Sequence, residues 1–127
     1  MSIAARWAVR MVATAAAADA IVQAMLAGKF LAGNYDALGV HAGNGGVLAL
    51  ITLVFLLAAL LDRQLSHGPW WPILTIAAVQ VALGIQRWLG ESNRLAWHVP
   101  LGITIVTSLL MVTVWSWRTR PVVELAR

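Results

Sequence analysis

"HAGNGGVLALITLVFLLAALL", residues 41–61, contains no Asp, Glu, Lys or Arg, and its polar side chains are confined to His41, Asn44 and Thr52. A helix of about 20 such residues matches the roughly 30 Å of hydrocarbon in a bilayer. Three further stretches, roughly 8–30, 70–88 and 97–117, have the same length and character. The whole chain has 127 residues, of which 61% are hydrophobic and 11% charged, with a mean hydropathy of +0.80. That balance excludes an ordinary soluble domain and predicts an integral membrane protein. Connections between the four spans are short, so consecutive helices are expected to be antiparallel neighbours. The expected fold is all-α, an up-down four-helix membrane bundle in one domain covering residues 1–127.

The first span opens with "RWAVRMVATAAAADA", residues 6–20, whose basic, apolar and small residues resemble a signal peptide. Its apolar character continues through "IVQAMLAGKFLAG", residues 21–33, longer than a signal peptide's apolar region. The expectation is therefore a retained first helix, its alanines serving close helix packing. Arg6, Arg10, Arg63, Arg118, Arg120 and Arg127 fall on the side of the termini and middle loop, against Lys29, Arg87 and Arg94 opposite. By the positive-inside rule both termini are expected in the cytoplasm, with a bacterial inner membrane as the location. Trp7, Trp70, Trp71, Trp88, Trp97, Trp115 and Trp117 all lie near expected helix ends, as an interfacial belt requires. Topology and anionic lipid account for the net charge of +4. Basic and aromatic residues are not interleaved as a nucleic-acid surface would need, so no nucleic-acid partner is expected. The absence of cysteine excludes disulfides and thiolate metal sites.

Residues 20–50 align without a gap on residues 77–107, an offset of 57. Gln23 then matches Gln80, Gly33 matches Gly90, His41 matches His98 and Gly45 matches Gly102. The chain reads as two duplicated helical hairpins. Each hairpin crosses the membrane twice, so its copy keeps its orientation, and a pseudo-twofold axis along the membrane normal is expected. That symmetry would set His41 and His98 at one depth on opposite sides of the bundle axis. Asp36 and Asn93, five residues before each histidine, are expected N-caps, which places both rings about 7 Å inside their helices.

Opposed neutral imidazoles in a bundle core suit the two axial positions of a haem iron. Gly45 and Gly102, four residues after each histidine, would leave space on the same helix face for a flat macrocycle. Two histidines without a carboxylate or thiolate make a poor zinc site. Copper, a quinone, or a plain structural histidine that bonds a neighbouring helix are the other readings. Arg94 and Arg87 are candidates to pair with haem propionates, or they set topology alone; Lys29 is a weaker candidate. Gln23 and Gln80 are expected to lie deeper than the histidines and to join helices by hydrogen bonds. Asp19, in mid-span and without a counterpart in the repeat, is an intramembrane carboxyl with a functional role by default; the alternative is a bond to Thr107 or Ser108. His67 is expected to be solvated, in a loop whose "GPWWP" shapes the entry to the third helix.

"HAGNGG", residues 41–46, and "VQVALGIQRWLGESNRLAWHVPLG", residues 79–102, resemble segments of the heme A synthase family. That family has two related four-helix bundles, each with histidines near the ends of its second and fourth helices. The resemblance implies that His41 and His98 are haem ligands. The present chain has one bundle, and its first outer loop, "KFLAGNYDALGV", does not contain the family's long segment with a catalytic acid. The implied protein is thus a small bis-histidine cytochrome with a single haem b, used for electron transfer or haem binding. Two alternatives stand beside it: a cofactor-free helical subunit of a larger membrane complex, and a half-length haem-modifying enzyme. The expected partners are haem, the lipid bilayer and a quinone or other redox partner, with association into a larger complex or a homo-oligomer.

Overall fold

The computed structural model describes residues 3–118, the side chain of Ser66 excepted; Arg120 and Arg127 of the topology argument lie outside that range. Four helices run in order: α1 (Ile3–Leu31), α2 (Ala37–Ser66), α3 (Trp71–Glu91) and α4 (Leu95–Arg118). Each packs on the next, α4 closes the ring against α1, and the diagonal pairs do not pack directly. This is the up-down bundle the short connections predict. All four helices are long and apolar enough to cross a membrane.

Every helix exceeds its expected span, because the apolar run measures only the part suited to hydrocarbon. The backbone bonds within the helix continue into flanks that hold Trp and Arg. The outer surface stays apolar, with Leu50, Leu57, Leu74, Val81 and Ile103 all exposed, while several polar side chains turn inward. Lipid-facing helices show that distribution, since lipid tails solvate leucine and offer no partner to an amide.

Small residues set how closely the helices approach. Ala13, Ala16, Ala17 and Ala20 form the buried stripe of α1. Phe55 of α2, Ile76 of α3 and Leu109 and Val112 of α4 join three of these alanines, Ala13, Ala16 and Ala20, in one buried cluster. Phe55 is fully buried, so Phe55→Ala is expected to cost about 3–5 kcal/mol. Reversible unfolding in mixed detergent micelles measures this; a loss under about 1 kcal/mol would mean that the core collapses around the gap.

Polar ties cross between the helices. Thr52 Oγ1 donates to Gln80 Oε1 at 2.6 Å, and Gln80 Nε2 donates to the Ala49 carbonyl at 3.1 Å. Gln80 therefore joins α3 to α2, as expected of it. Near the termini, the buried Arg10 guanidinium lies 5.6 Å from the Trp7 ring and 5.2 Å from the Trp117 ring. Its Nε donates to the Ser116 carbonyl at 3.1 Å, which ties α1 to α4 through a desolvated cation held by two indoles.

The two hairpins turn alike. Gly33, at φ +96°, closes α1 with its N–H bonded to Phe30 O and the Asn34 N–H bonded to Lys29 O. Asn93, at φ 54°, closes α3 with the corresponding bonds to Gly90 O, and from Arg94 N–H to Leu89 O. Both are Schellman closures, which require a left-handed residue at that point. Asn93 is thus the C-terminal residue of α3's turn, not the expected N-cap of α4. Asp36 does stand at the N-cap position of α2, but its side chain makes no capping bond. At the opposite end His67 is exposed and left-handed, closing α2 through its N–H to Arg63 O, and Pro72 lies in the first turn of α3.

Candidate functional site

The helical geometry of α2 and α4 carries His41 and His98 into the bundle near its hairpin end. Their ring centroids are 6.1 Å apart, with the planes at 58°. Since α2 and α4 are diagonal neighbours, the two imidazoles meet across the bundle interior. Both rings are half-buried.

Each ring is held by the adjoining helix of its own hairpin. His41 Nδ1 donates to the Gln23 carbonyl at 3.1 Å, and Gln23 Nε2 donates back to the His41 carbonyl at 2.9 Å. His98 Nδ1 donates to the Gln86 carbonyl at 3.0 Å, and Gln86 Nε2 donates back to the His98 carbonyl at 2.9 Å. A carbonyl oxygen only accepts, so in each neutral ring Nδ1 carries the hydrogen and Nε2 keeps its lone pair. The two hairpins thus build one reciprocal clasp twice.

Helix geometry explains the glycines of the site. The carbonyl of residue i lies beneath residue i+4, so a side chain at that position would screen it from a neighbouring helix. Gly45 is four residues past His41, and a Cβ there would stand 3.3 Å from Gln23 Nε2. At Gly102, four past His98, it would stand 2.9 Å from Gln86 Nε2. Gly90, four past Gln86, serves the reverse bond: a Cβ there would stand 3.1 Å from His98 Cε1. The immediate task of Gly45 and Gly102 is therefore to admit the glutamine amides, where the sequence suggested room for a macrocycle. By contrast Gly43 meets nothing within 4 Å, so Gly43→Ala is expected to be neutral or to stabilise by up to about 1 kcal/mol. A loss of stability in thermal unfolding would place a hidden contact there.

Gln23 overturns one expectation outright. It lies beside His41 and not below it, because an antiparallel neighbour is read downward while the histidine helix is read upward. Its structural counterpart is Gln86, 63 residues on, although the histidines are 57 apart. Measured from the left-handed residues, Gln23 is ten before Gly33 and His41 eight after, whereas Gln86 is seven before Asn93 and His98 five after. The first hairpin therefore extends about one turn further past its clasp on both arms. An ungapped alignment follows the histidines and misses the second glutamine.

No family model, curated protein or solved structure matches the chain.

The remaining sequence candidates fall around this clasp. Arg94 accepts the His98 N–H at its backbone carbonyl, and its guanidinium lies 5.2 Å from the Trp88 ring. Arg87 is exposed and ion-paired with Glu91 at 2.9 Å, an arrangement worth little by itself in water. Lys29 is exposed in the last turn of α1. Asp19 is half-buried and bonds Asn44 of α2 at 3.4 Å, while the Thr107 hydroxyl bonds back to Ile103 O. Its partner is therefore on α2, not the α4 hydroxyls considered from depth alone. Met25 and Met111 are both exposed on the outer surface. Gln86, Asn44 and Gly90 were not read as site residues from the sequence; the legible signal for two of them was the four-residue spacing of Gln86 and Gly90, repeated in His98 and Gly102.

Proposed function

We propose that this chain is a membrane-embedded bis-histidine haem b protein, a small cytochrome in which His41 and His98 are the axial ligands. The observation that carries the reading is the pair of imidazoles 6.1 Å apart, each with Nδ1 tied to a carbonyl, so that Nε2 keeps the lone pair a metal would use. His41 and His98 would be the residues that hold the iron, through Nε2. Their ring centroids are close enough for the two rings to share one metal ion. When bound, the haem iron supplies a one-electron couple.

The protein residues do the rest. Gln23 and Gln86 fix ring orientation and tautomer through their carbonyls, and a hydrogen bond from the far ring nitrogen raises ligand basicity. Their side-chain amides lock the ligand-bearing helices to α1 and α3, each bond contributing about 0.6 kcal/mol in a membrane. Arg94, one helical turn before His98, is suited to pair with a propionate at the hairpin end. A periplasmic hairpin end, with both termini cytoplasmic in a bacterial inner membrane, follows from the arginine distribution. Electron exchange with a quinone or another redox partner is the corresponding activity.

A cofactor-free role, in which the chain is a packing subunit of a larger membrane complex, has one observation in its favour. Gln23 Nε2 approaches His41 Nε2 at 3.4 Å, so that ring has a protein partner at both nitrogens. The reduced-minus-oxidised spectrum of the purified, detergent-solubilised protein, with a pyridine haemochrome assay, separates the two. A sharp α band at about one haem per chain is expected; a protein that stays colourless after haem is supplied would sink the cytochrome.

A further inference from the structure

The clasps are alike, but what stands behind them is not. In the second hairpin the side-chain hydrogen bonds end at Gln86, whose buried Oε1 has no hydrogen-bond partner among the described residues. In the first they continue. Gln23 Oε1 accepts from Asn44 Nδ2 at 3.0 Å, and the same nitrogen donates to Asp19 Oδ2 at 3.4 Å. The equivalent places in the second hairpin, three past the histidine and four before the glutamine, hold Leu101 and Ala82.

Two primary amides in series carry orientation. An amide has a donor end and an acceptor end, and a flip exchanges them. Asp19 Oδ2 accepts, so it selects the nitrogen end of Asn44. The second hydrogen of that nitrogen meets Gln23 Oε1, which turns the Gln23 nitrogen toward His41. There it lies 2.9 Å from the His41 carbonyl and 3.4 Å from His41 Nε2. Without the acid, Asn44 keeps Gln23 Oε1 as an acceptor and Gln23 keeps the His41 carbonyl, so the sense of both amides holds, but nothing then anchors the pair in the place that brings the Gln23 nitrogen to His41 Nε2. Gln86 has no such restraint, and among the described residues no donor faces His98 Nε2.

We infer that Asp19 is a positioning residue for His41, acting through Asn44 and Gln23 to hold an N–H donor against His41 Nε2 and so make the two histidines electronically unequal. Nε2 has a single lone pair, so the Gln23 N–H and iron would compete for it. His41 becomes the weaker and more readily displaced donor, and His98 the stronger. The consequence for iron rests on the haem reading, whereas the consequence for the ring does not.

The test uses the full-length protein, labelled with 15N-histidine and freed of haem, in lipid nanodiscs. Asp19→Leu is expected to move the His41 Nε2 resonance downfield, toward that of His98, with the tautomer and the His98 signals unchanged. Asn44→Leu is expected to give the same shift, and the double variant no more than either alone, because the residues form one chain. Asp19→Asn keeps an acceptor oxygen and should restore the original resonance. Unmoved His41 signals in Asp19→Leu would overturn the inference. So would Asp19→Asn behaving like Asp19→Leu, which would mean that the acid acts by its charge through space. Under the haem reading, Asp19→Leu is expected to take up haem more tightly than the wild type at the same stoichiometry, because the Gln23 N–H no longer competes for His41 Nε2. A wild-type protein that takes up no haem counts against the cytochrome alone, since the ring resonances still decide the role of Asp19.

Discussion

The His41→Ala, His98→Ala double variant is expected to lose the α band of its reduced spectrum and to retain no haem through purification. Both proposed iron ligands are then gone, and the remaining histidine, His67, lies at the far end of the bundle. Each single variant should keep at most a five-coordinate haem, with a broadened spectrum and a site open to carbon monoxide. Loss of a partner that merely orients a ligand costs about 10–100-fold in affinity, so loss of the ligand itself must exceed that. His67→Ala is the control. His67 is exposed and closes α2 at the far end of the bundle, so its ring can be removed without a spectral change. Full haem retention in the double variant would dismiss the ligand assignment.

Gly102→Leu is expected to weaken haem binding about 10–100-fold while leaving both histidines in the chain. A Cβ at residue 102 already stands 2.9 Å from Gln86 Nε2, and a branched side chain would evict that amide from the His98 carbonyl. Gln86 would then carry two unsatisfied polar atoms at its buried end in place of one, and α3 would have to move off α4. His98 Nδ1 would lose its carbonyl and with it the enforced tautomer. Haem titration of the apoprotein measures the loss, with helical content by circular dichroism confirming that the chain still folds. Unaltered affinity would show that the clasp braces the bundle without bearing on the cofactor.

Much of this arrangement is legible in the primary structure. Hydrophobic runs of bilayer length needed only counting, and they fix four helices, their antiparallel order and a single domain. The recurrence of a histidine followed by a glycine at i+4 pointed to a matched pair across the axis. What the runs could not supply was the phase between an ascending helix and a descending one. Gln23 and Gln80 look equivalent in an ungapped alignment, yet Gln23 clasps His41 while Gln80 bonds Thr52 in the mid-bundle core. Asn93 illustrates the same limit on a smaller scale. It reads as a cap for the helix that follows, but the Schellman bonds from its own N–H and that of Arg94 bind it to the helix before.

The sequence by itself determined the class of this protein, because solvation of apolar helices by lipid is a property of each segment taken singly and needs no knowledge of its neighbours. It also determined which two histidines would be paired, because a duplicated hairpin imposes its symmetry wherever the copies pack. Tertiary structure alone decided which nitrogen of each histidine carries the hydrogen, since Nδ1 is claimed by a carbonyl on another helix. It alone joined Asp19 to His41, through side chains on two helices whose vertical register depends on loop length. Hydrogen bonds act over about 3 Å, whereas one residue of slip along a helix is about 1.5 Å and turns the side chain by about 100°. A polar network is therefore settled only when the helices have docked.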